Sequence, residues 1–490
     1  MDVFNTTDAI AKIKAGPQGP SIGAFFDFDG TLIDGYSVAE YFKERIRNRT
    51  ISVKELVTGV TAPFKGIANE AEFTLLFKDL IAEWAGNSEE EVRALWQKLF
   101  IERIARHMFH EAYSLVQAHM RAGHTVAIAS SATRYQIEPL ATEYGIEHIL
   151  ATELEIKRGI VNGKLHGEPL WGKNKAAAVR RFAKTQKISL SKSYGYANGD
   201  EDIDFLSTVG LATAVNPQKE LLLKASAEAW PVLTFDPRKR APFKAFAGTV
   251  GAYSAMTATM LAGMAYNRFY KEPRRAADMV GTIGSELGLA LAGIKVNILN
   301  EHNLWRVRPA VFILNHQSKL DFFIFYNIIR RELTGVVKKE AENVPVIGPF
   351  LRMAEMSFLD RSNSKKAIDA LQPAVDRLKR GLSVAIAPEG TRSYTPKVGR
   401  FKKGAFHIAM QAGVPIVPVV IRNAGELMWR EDATMRAGTV DICVLDPIDV
   451  SQWDPANLDD NIAAVRQLFV DTLADWPTET KTMNDSSLVN

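Results

Sequence analysis

The chain has almost no cysteine: Cys443 is the single thiol in 490 residues. One thiol excludes an intrachain disulfide and provides no thiolate cluster for zinc or iron–sulfur, which suits a reducing compartment. Charge of one sign is also scarce. Sixty Lys and Arg against 56 Asp and Glu leave a formal net charge of +4, too small an excess to imply a nucleic-acid partner. Glycine and proline, 33 and 21 residues, are too few for a collagen-like or low-complexity chain. Long hydrophobic runs are rare as well. The opening stretch MDVFNTTDAIAKIKAGPQGP lacks the apolar core of a secretory signal. Ala245 to Asn267 is uncharged over about the length of a bilayer span, but it is made of Ala, Gly, Thr and Ser rather than Leu and Ile. Spanning is therefore only one of its possible states.

What is present is a composition with 47% hydrophobic and 24% charged residues, that of a folded protein of two large or three ordinary domains at about 150 residues each. Ile22 to Phe26 reads as a buried strand running into Asp27-Phe28-Asp29-Gly30-Thr31. Thr125 to Ala129 ends at Ser130-Ser131, and Ser193 to Ala197 ends at Asn198-Gly199-Asp200-Glu201-Asp202. Strand, polar turn and helix in repetition predict a parallel sheet with helices on both faces. Between the first two strands, Ser37 to Arg121 is helical in pattern. Ser52 with Glu55 and Ser88 with Glu91 have capping-box spacing, and Val92, Leu95, Trp96 and Leu99 share a helix face. The expected organisation is a lead segment (1–20), a first α/β domain (21–235) with a helical cap at about 36–120, and a proline-bracketed basic linker (236–244). A helix pair (245–295), a second α/β domain (296–475) and a polar tail (476–490) follow. Strand-like runs at Ala310–Leu314, Leu382–Ala387 and Val414–Ile421 define the second domain.

The first strand end carries two carboxylates, Asp27 and Asp29, spaced so that both can face one pocket. One can attack phosphorus while the other handles the leaving-group proton. A hard cation must then separate carboxylate from phosphate, which implies Mg²⁺ with oxygen ligands. Asp200, Asp202 and Asp204 are candidates for its shell. Thr31, Ser130 and Lys175 can meet the phosphoryl oxygens. His107 and His110, three residues apart, have no third ligand in view and read as packed or solvated helix histidines.

These residues, as DFDGT (27–31), VAIASSA (126–132), GKNK (172–175) and YANGDEDIDFL (196–206) leading to AVNP, resemble the haloacid dehalogenase-like hydrolases, in the branch with phosphoserine phosphatases. The resemblance covers roughly residues 20 to 230. It implies an aspartyl-phosphate on Asp27, Asp29 as general acid/base, and phosphate contacts from Thr31, Ser130 and Lys175. It implies magnesium at Asp27, Asp29, Asn198 and Asp202, with the Phe28 carbonyl contributing. Asn198 is an amide at a metal-loop position, and Asp200 provides an alternative register. The cap has no recognisable amino-acid-binding set, which argues against phosphoserine.

In the second domain Asn315-His316-Gln317-Ser318-Lys319-Leu320-Asp321 sets an aspartate five residues after a histidine at a strand end. A neutral imidazole can take a proton from an acceptor alcohol while the carboxylate holds its far nitrogen, so no serine is needed. Pro388-Glu389-Gly390-Thr391-Arg392-Ser393 follows another buried strand, and its guanidinium suits a phosphate on the acceptor. With Phe358-Leu359-Asp360-Arg361 and Val414-Pro415-Ile416-Val417-Pro418, these motifs resemble the glycerolipid acyltransferases that include lysophosphatidate acyltransferases. The match covers about residues 285 to 425. It implies His316 as base, Asp321 as its partner, and substrate contacts from Glu389, Gly390, Thr391, Arg392, Arg361 and Lys339. The donor would be acyl-CoA or acyl carrier protein. The helix pair would dock on the cytoplasmic face of a membrane, with Arg238, Lys239, Arg240, Lys271, Arg274 and Arg275 near its head groups. The joint expectation is a bifunctional, membrane-associated enzyme of phospholipid synthesis. It would make phosphatidate from 1-acylglycerol 3-phosphate, fused to a Mg²⁺-dependent phosphatase. An acyltransferase with a non-catalytic phosphatase-like module, or one acting on glycerol 3-phosphate, remains an alternative. Oligomeric state is not legible.

Overall fold

Strands apolar on both faces and joined by helices pair in parallel, and both halves of this chain are built that way. The computed structural model describes residues 4–48, 70–238, 241–359 and 371–477. It divides into two units, Met1–Lys239 and Arg240–Asn490. The Ser52–Glu55 capping spacing, Asp360, Arg361, linker residues Lys239 and Arg240, and the tail from 478 onward lie outside the described residues.

In the first unit β1 (Gly23–Phe26), β2 (Thr125–Thr133) and β3 (His148–Thr152) precede the hairpin strands β4 (Leu154–Lys157) and β5 (Ile160–Leu165). Then come β6 (Tyr194–Ala197), β7 (Leu211–Val215) and β8 (Val232–Leu233). The Rossmann-like sheet has the order β3-β2-β1-β6-β7-β8, all parallel. The strand bearing the acidic turn is thus central, and Phe26 is level with Ile128 on one side and Tyr196 on the other. The inserted cap holds helices Ser37–Arg47, Glu70–Ala82 and Glu89–Leu99. Ser88 and Glu91 form the capping box, and Val92, Trp96 and Leu99 are buried. At their core Tyr41 stacks on Trp96, and Trp84 meets both rings edge-on.

Three boundaries differ from expectation. The cap does not reach residue 120, because helix His110–Arg121 buries Ala112, Leu115 and Val116 and packs against helix Thr6–Ala15. Residues 1–20 are not merely a lead: Asn5 and Asp8 form a capping box for that first helix, and the Pro17 carbonyl accepts from His124 Nε2 at 2.8 Å. The β4–β5 hairpin adds to the cap from a distant part of the sequence, exchanging Gly86 N to Val161 O and Val161 N to Asn87 O, both 2.9 Å.

The second unit holds β9 (Ile294–Leu299), β10 (Val311–Leu314), β11 (Leu333–Lys338), β12 (Ser357–Leu359), β13 (Ser383–Ile386), β14 (Ile416–Ile421) and β15 (Gly438–Val444). Their order is β12-β11-β13-β10-β14-β15-β9, with β14–β15 the one antiparallel pairing. Period-two alternation separates two cores. Phe312 and Leu314 face one layer, while Val311 and Ile313 face the helices Gln372–Lys379, Gly404–Ala412 and Leu458–Ala474.

Helix Phe243–Tyr270 and the segment Pro273–Ala292, wound with one π turn at Val280–Gly284, form the expected pair. Ile294 belongs to β9 instead. Small residues permit close contact: a Cβ at Gly263 would lie 2.3 Å from Val280 Cγ2, and one at Gly248 2.8 Å from the Leu291 carbonyl. The stripe Ala245, Thr249, Ala252, Met256, Met260 and Gly263 is buried. The other side exposes Phe243, Phe246, Val250, Leu261, Leu287 and Leu291. Among the described residues, no helix is long and apolar enough to cross a membrane.

Candidate active sites

The carboxyl end of a central parallel strand gathers loops from both neighbours, and in the first unit this brings β1, β2 and β6 to one point. Asp27 is buried, and its amide donates to the Tyr196 carbonyl at 2.9 Å. Lys175, in the first turn of helix Lys173–Gln186, is also buried and donates to Asp27 Oδ1 at 2.8 Å and Asp202 Oδ1 at 2.5 Å. Burial opposes its charge, yet the two carboxylates more than compensate and raise its pKa. Gly30 has φ +74°, and a Cβ there would come within 2.1 Å of Asn198 Nδ2, so the turn and the β6 loop meet only because residue 30 is glycine. Thr31 Oγ1 donates to Asn198 Oδ1 at 3.4 Å. Ser130, at the β2 end, is buried and accepts from Ala132 N at 3.3 Å.

Asp29 is placed differently from Asp27. Its Oδ1 accepts from Ser37 N at 2.7 Å and its Oδ2 from Ser37 Oγ at 3.2 Å. Desolvation pushes its carboxyl up to about 7, against the Ser37 hydrogen bond. A carboxyl raised that far suits a proton carrier better than a metal ligand, which must be ionised. The Phe28 carbonyl is likewise occupied within its own turn by Leu32 N at 2.9 Å and Ile33 N at 3.2 Å. Asp200 Oδ1 accepts from Leu221 N at 2.7 Å, which commits it to the next helix and leaves the loop register to Asn198 and Asp202.

Asp202 supplies the test of a cation site. It is fully buried, burial drives its carboxyl well above the usual range against the pull of Lys175, and its Oδ2 has no partner among the described residues. An oxygen so orphaned suits Mg²⁺, with Asp27 and the Asn198 amide oxygen as the further side-chain donors. Among the described residues no three His, Cys, Asp or Glu converge on a metal position; with Asn198 the third side-chain donor would be an amide.

In the second unit the corresponding strand is β10, flanked by β13 and β14. Asn315 fastens its end to β14 by a pair of 2.7 Å hydrogen bonds with the Ile421 backbone. The next residue, His316, is thereby presented at the edge with its side chain 30% exposed, beside an Asp321 that is 3% exposed. His316 Nδ1 is 2.7 Å from Asp321 Oδ2, which also accepts Gln317 N at 2.9 Å and Ser318 N at 3.0 Å. Ser318 Oγ donates to the Met428 carbonyl at 2.6 Å and closes the turn. A carboxylate held by two amides cannot rotate, so it fixes the imidazole with Nε2 turned outward.

Glu389, at the β13 end, accepts His316 N at 2.8 Å and Gly399 N at 2.6 Å. Burial raises its pKa to about 7, opposed by those two bonds. It therefore orients the backbone of the histidine loop. Arg392 follows at once: Ser393 N donates to the His316 carbonyl at 3.0 Å, and Arg392 Nη1 donates to the Arg430 carbonyl at 2.6 Å. Gly390 has φ +71°, and a Cβ there would meet Lys402 Nζ at 2.8 Å, so an ammonium lies over that turn. Thr391 is exposed. Lys339 is exposed beyond β11, which β13 separates from β10, so it is the least central of the expected residues.

A family model for acyltransferases matches residues 295–422, and one for haloacid dehalogenase-like hydrolases matches 24–207. The 1-acyl-sn-glycerol-3-phosphate acyltransferase of Limnanthes alba is 34% identical over 203 residues, which are 41% of this chain and 70% of that protein. The chain belongs to the acyltransferase family, with a haloacid dehalogenase-like hydrolase domain joined to it. The acyltransferase of the same name from Saccharomyces cerevisiae is 36% identical over 186 residues, 37% of this chain; the chain spans 61% of that relative's length. A "probable phosphatase" of Mycobacterium tuberculosis is 27% identical over 288 residues, 55% of this chain and 100% of that protein.

Sequence reasoning missed several residues at these sites. In the hydrolase unit Ser37 holds Asp29, and Gln136 steadies Ser37 with a 3.0 Å bond to its Oγ. In the acyltransferase unit Arg430 stacks 4.1 Å over Tyr394 while bonding Arg392. Tyr253 of the long helix lies close enough to Arg392 for its phenol to sense that charge. Asn315 and Ser318 were visible as motif letters, but their anchoring bonds are to residues about 110 positions away.

Proposed function

We propose that the acyltransferase unit moves an acyl group from acyl-CoA or acyl carrier protein to the free hydroxyl of 1-acylglycerol 3-phosphate, giving phosphatidate. The observation carrying this is the His316–Asp321 pair at 2.7 Å, with Asp321 locked by two further amides and Arg392 next to the same loop. His316 Nε2 takes the acceptor's hydroxyl proton as its oxygen attacks the thioester carbonyl, and Asp321 steadies the imidazolium. On collapse the C–S bond breaks and the thiolate leaves with the proton from Nε2. Arg392, Lys402, Lys339 and Arg361 supply positive charge for the acceptor's phosphate. The exposed row Phe243, Phe246, Val250, Leu261, Leu287 and Leu291 supports peripheral docking of the helix pair in the membrane interface, and the proposal assigns this to the cytoplasmic face.

The hydrolase unit, in this proposal, hydrolyses a phosphate monoester. Asp27 attacks phosphorus while protonated Asp29 delivers its proton to the leaving alcohol. Asp29 then deprotonates the water that cleaves the aspartyl-phosphate. Asp27, Asp202 and Asn198 would hold Mg²⁺, which would supply the positive charge that lets carboxylate and phosphate approach. The orphaned Asp202 Oδ2 supports an active site over a purely regulatory module. The test is to supply labelled acyl-CoA and a panel of lysophospholipids to wild type and His316→Ala. Phosphatidate formation should vanish in the variant, and acceptance of glycerol 3-phosphate alone would replace the acceptor named here.

A further inference from the structure

We propose that the hydrolase unit takes a phosphate monoester whose alcohol half is neutral and keeps a free hydroxyl, a polyol monophosphate, with Glu40 and His107 reading that hydroxyl. The inference rests on the phosphatase reading above. It starts from an anomaly in helix Ser37–Arg47, whose buried residues are Ser37, Glu40, Tyr41 and Glu44. Positions 37, 40 and 44 share one face, and a buried helix face is ordinarily apolar. Buried carboxylates need partners for all their lone pairs.

Glu44 has its set: Arg103 Nη2 at 2.7 Å and Asn48 Nδ2 at 3.0 Å. Glu40 does not. Lys43 Nζ takes Oε1 at 2.5 Å, but Oε2 is buried with no partner among the described residues, and the side chain is about 7% exposed. His107 Nε2 is buried and unpartnered in the same sense, 3.7 Å from Glu40 Oε1 and so beyond hydrogen-bond reach. Two adjacent polar atoms thus wait for a third group. Desolvation lowers the His107 pKa, with Glu40 opposing, which favours the neutral ring. Lys43 pairs with Glu40, and Arg103 together with Arg47 pairs with Glu44, so neither carboxylate is left free to select an ammonium, while Glu40 itself repels a carboxylate. A hydroxyl both gives and takes a hydrogen bond, and one hydroxyl satisfies both atoms by donating to Glu40 Oε2 and accepting from His107 Nε2.

The location matches a leaving group. Ser37, which holds Asp29, precedes Glu40 by three residues, about 4.5 Å along the axis and within reach of a three-carbon alcohol. His107 sits at the same root of the cap, where its carbonyl accepts Asp34 N at 2.7 Å and Ile33 pairs with Met108.

The test measures phosphate release by the full chain, with Mg²⁺, from four soluble esters: glycerol 3-phosphate, propyl phosphate, 1-hexanoylglycerol 3-phosphate and dihexanoylglycerol 3-phosphate. Wild type should favour glycerol 3-phosphate over propyl phosphate by about 10- to 100-fold in kcat/KM, the effect of a hydrogen bond to a buried carboxylate. Glu40→Gln and His107→Gln should each reduce that ratio to about threefold or less. Because the ratio is taken within each variant, a general loss of turnover cancels. Cleavage of the monoacyl ester alongside glycerol 3-phosphate assigns the hydroxyl to a lysolipid, and cleavage of glycerol 3-phosphate without it assigns a free polyol phosphate. Equal handling of propyl phosphate or the dihexanoyl ester by wild type, or an unchanged ratio in both variants, overturns the proposal. Should no ester be hydrolysed, the phosphatase reading falls. Calorimetric titration with glycerol 3-phosphate and propyl phosphate then decides this inference separately: a tenfold difference in affinity supports it and equal affinities refute it.

Discussion

Replacing Asp321 by Asn removes one charge and almost nothing else. Asp321 Oδ2 receives His316 Nδ1, Gln317 N and Ser318 N, while Oδ1 has no partner among the described residues. An amide oxygen in the Oδ2 place can keep all three bonds, whereas the flipped amide would set its NH₂ against two backbone N–H groups. The histidine tautomer therefore survives, and what disappears is attraction between carboxylate and the imidazolium formed in the transition state. Two unit charges about 4 Å apart attract by about 4 kcal/mol at an effective dielectric of about 20, or about three decades in rate. Acyl transfer from labelled acyl-CoA to 1-acylglycerol 3-phosphate should accordingly fall by about 10²- to 10³-fold in kcat, with KM little changed. In a His316→Ala background the same change should cost less than about threefold, because Asp321 acts through the ring. A D321N enzyme within about threefold of wild type, or losses that simply multiply, would refute the dyad.

Four further outcomes are expected. Asp27→Asn should abolish release of phosphate from small esters while leaving acyl transfer intact, read by paired assays on one preparation. Asp29, with its pKa at about 7 against an ordinary 3.8, is protonated below pH 7. Phosphatase kcat/KM on an alkyl phosphate should thus decline above about pH 7, and Asp29→Asn should erase that limb. A Cβ at Gly210 would lie 1.9 Å from the Ser191 carbonyl, a backbone atom that cannot swing aside. Gly210→Ala should destabilise the hydrolase unit by about 1–3 kcal/mol in denaturant titration. Phe246→Asp and Leu287→Asp together should release the chain from anionic liposomes in flotation, since both side chains are half exposed on the apolar face of the helix pair; undiminished binding would remove that face from the membrane contact.

The strands visible as apolar runs, Ile22–Phe26, Thr125–Ala129, Ser193–Ala197, Ala310–Leu314 and Val414–Ile421, overlap β1, β2, β6, β10 and β14. All are central and buried on both faces, which makes their pattern continuous. Edge strands β8 and β12 are two or three residues long, and half-exposed β9 mixes Lys295 and Asn297 with apolar residues. β8 and β12 are too short to show a period, whereas β9 does alternate Ile294, Val296 and Ile298 with Lys295 and Asn297 and was absorbed at its start into the range expected for the helix pair. The β4–β5 hairpin escaped because its turn residues, Arg158 and Gly159, adopt positive φ without an Asn-Gly or Asp-Gly signal. The long small-residue helix was ambiguous for a different reason. Composition reports low apolarity, but only packing reveals that Gly and Ala bring two helices together on one side while Phe and Leu stay exposed on the other.

The sequence by itself determined the chemistry: two α/β halves, each with its reactive residues placed directly after a buried strand, because local order is enough to put Asp27, Asp29, His316 and Arg392 in strand-end turns. Only tertiary structure decided what each of those groups can do. Desolvation, orphaned atoms and bonds between residues a hundred positions apart set the raised pKa of Asp29, the unpartnered Oδ2 of Asp202, the locked Asp321 and the unpartnered atoms of Glu40 and His107. Electrostatic energy depends on distance and burial in space, and neither is encoded in the spacing of letters along the chain.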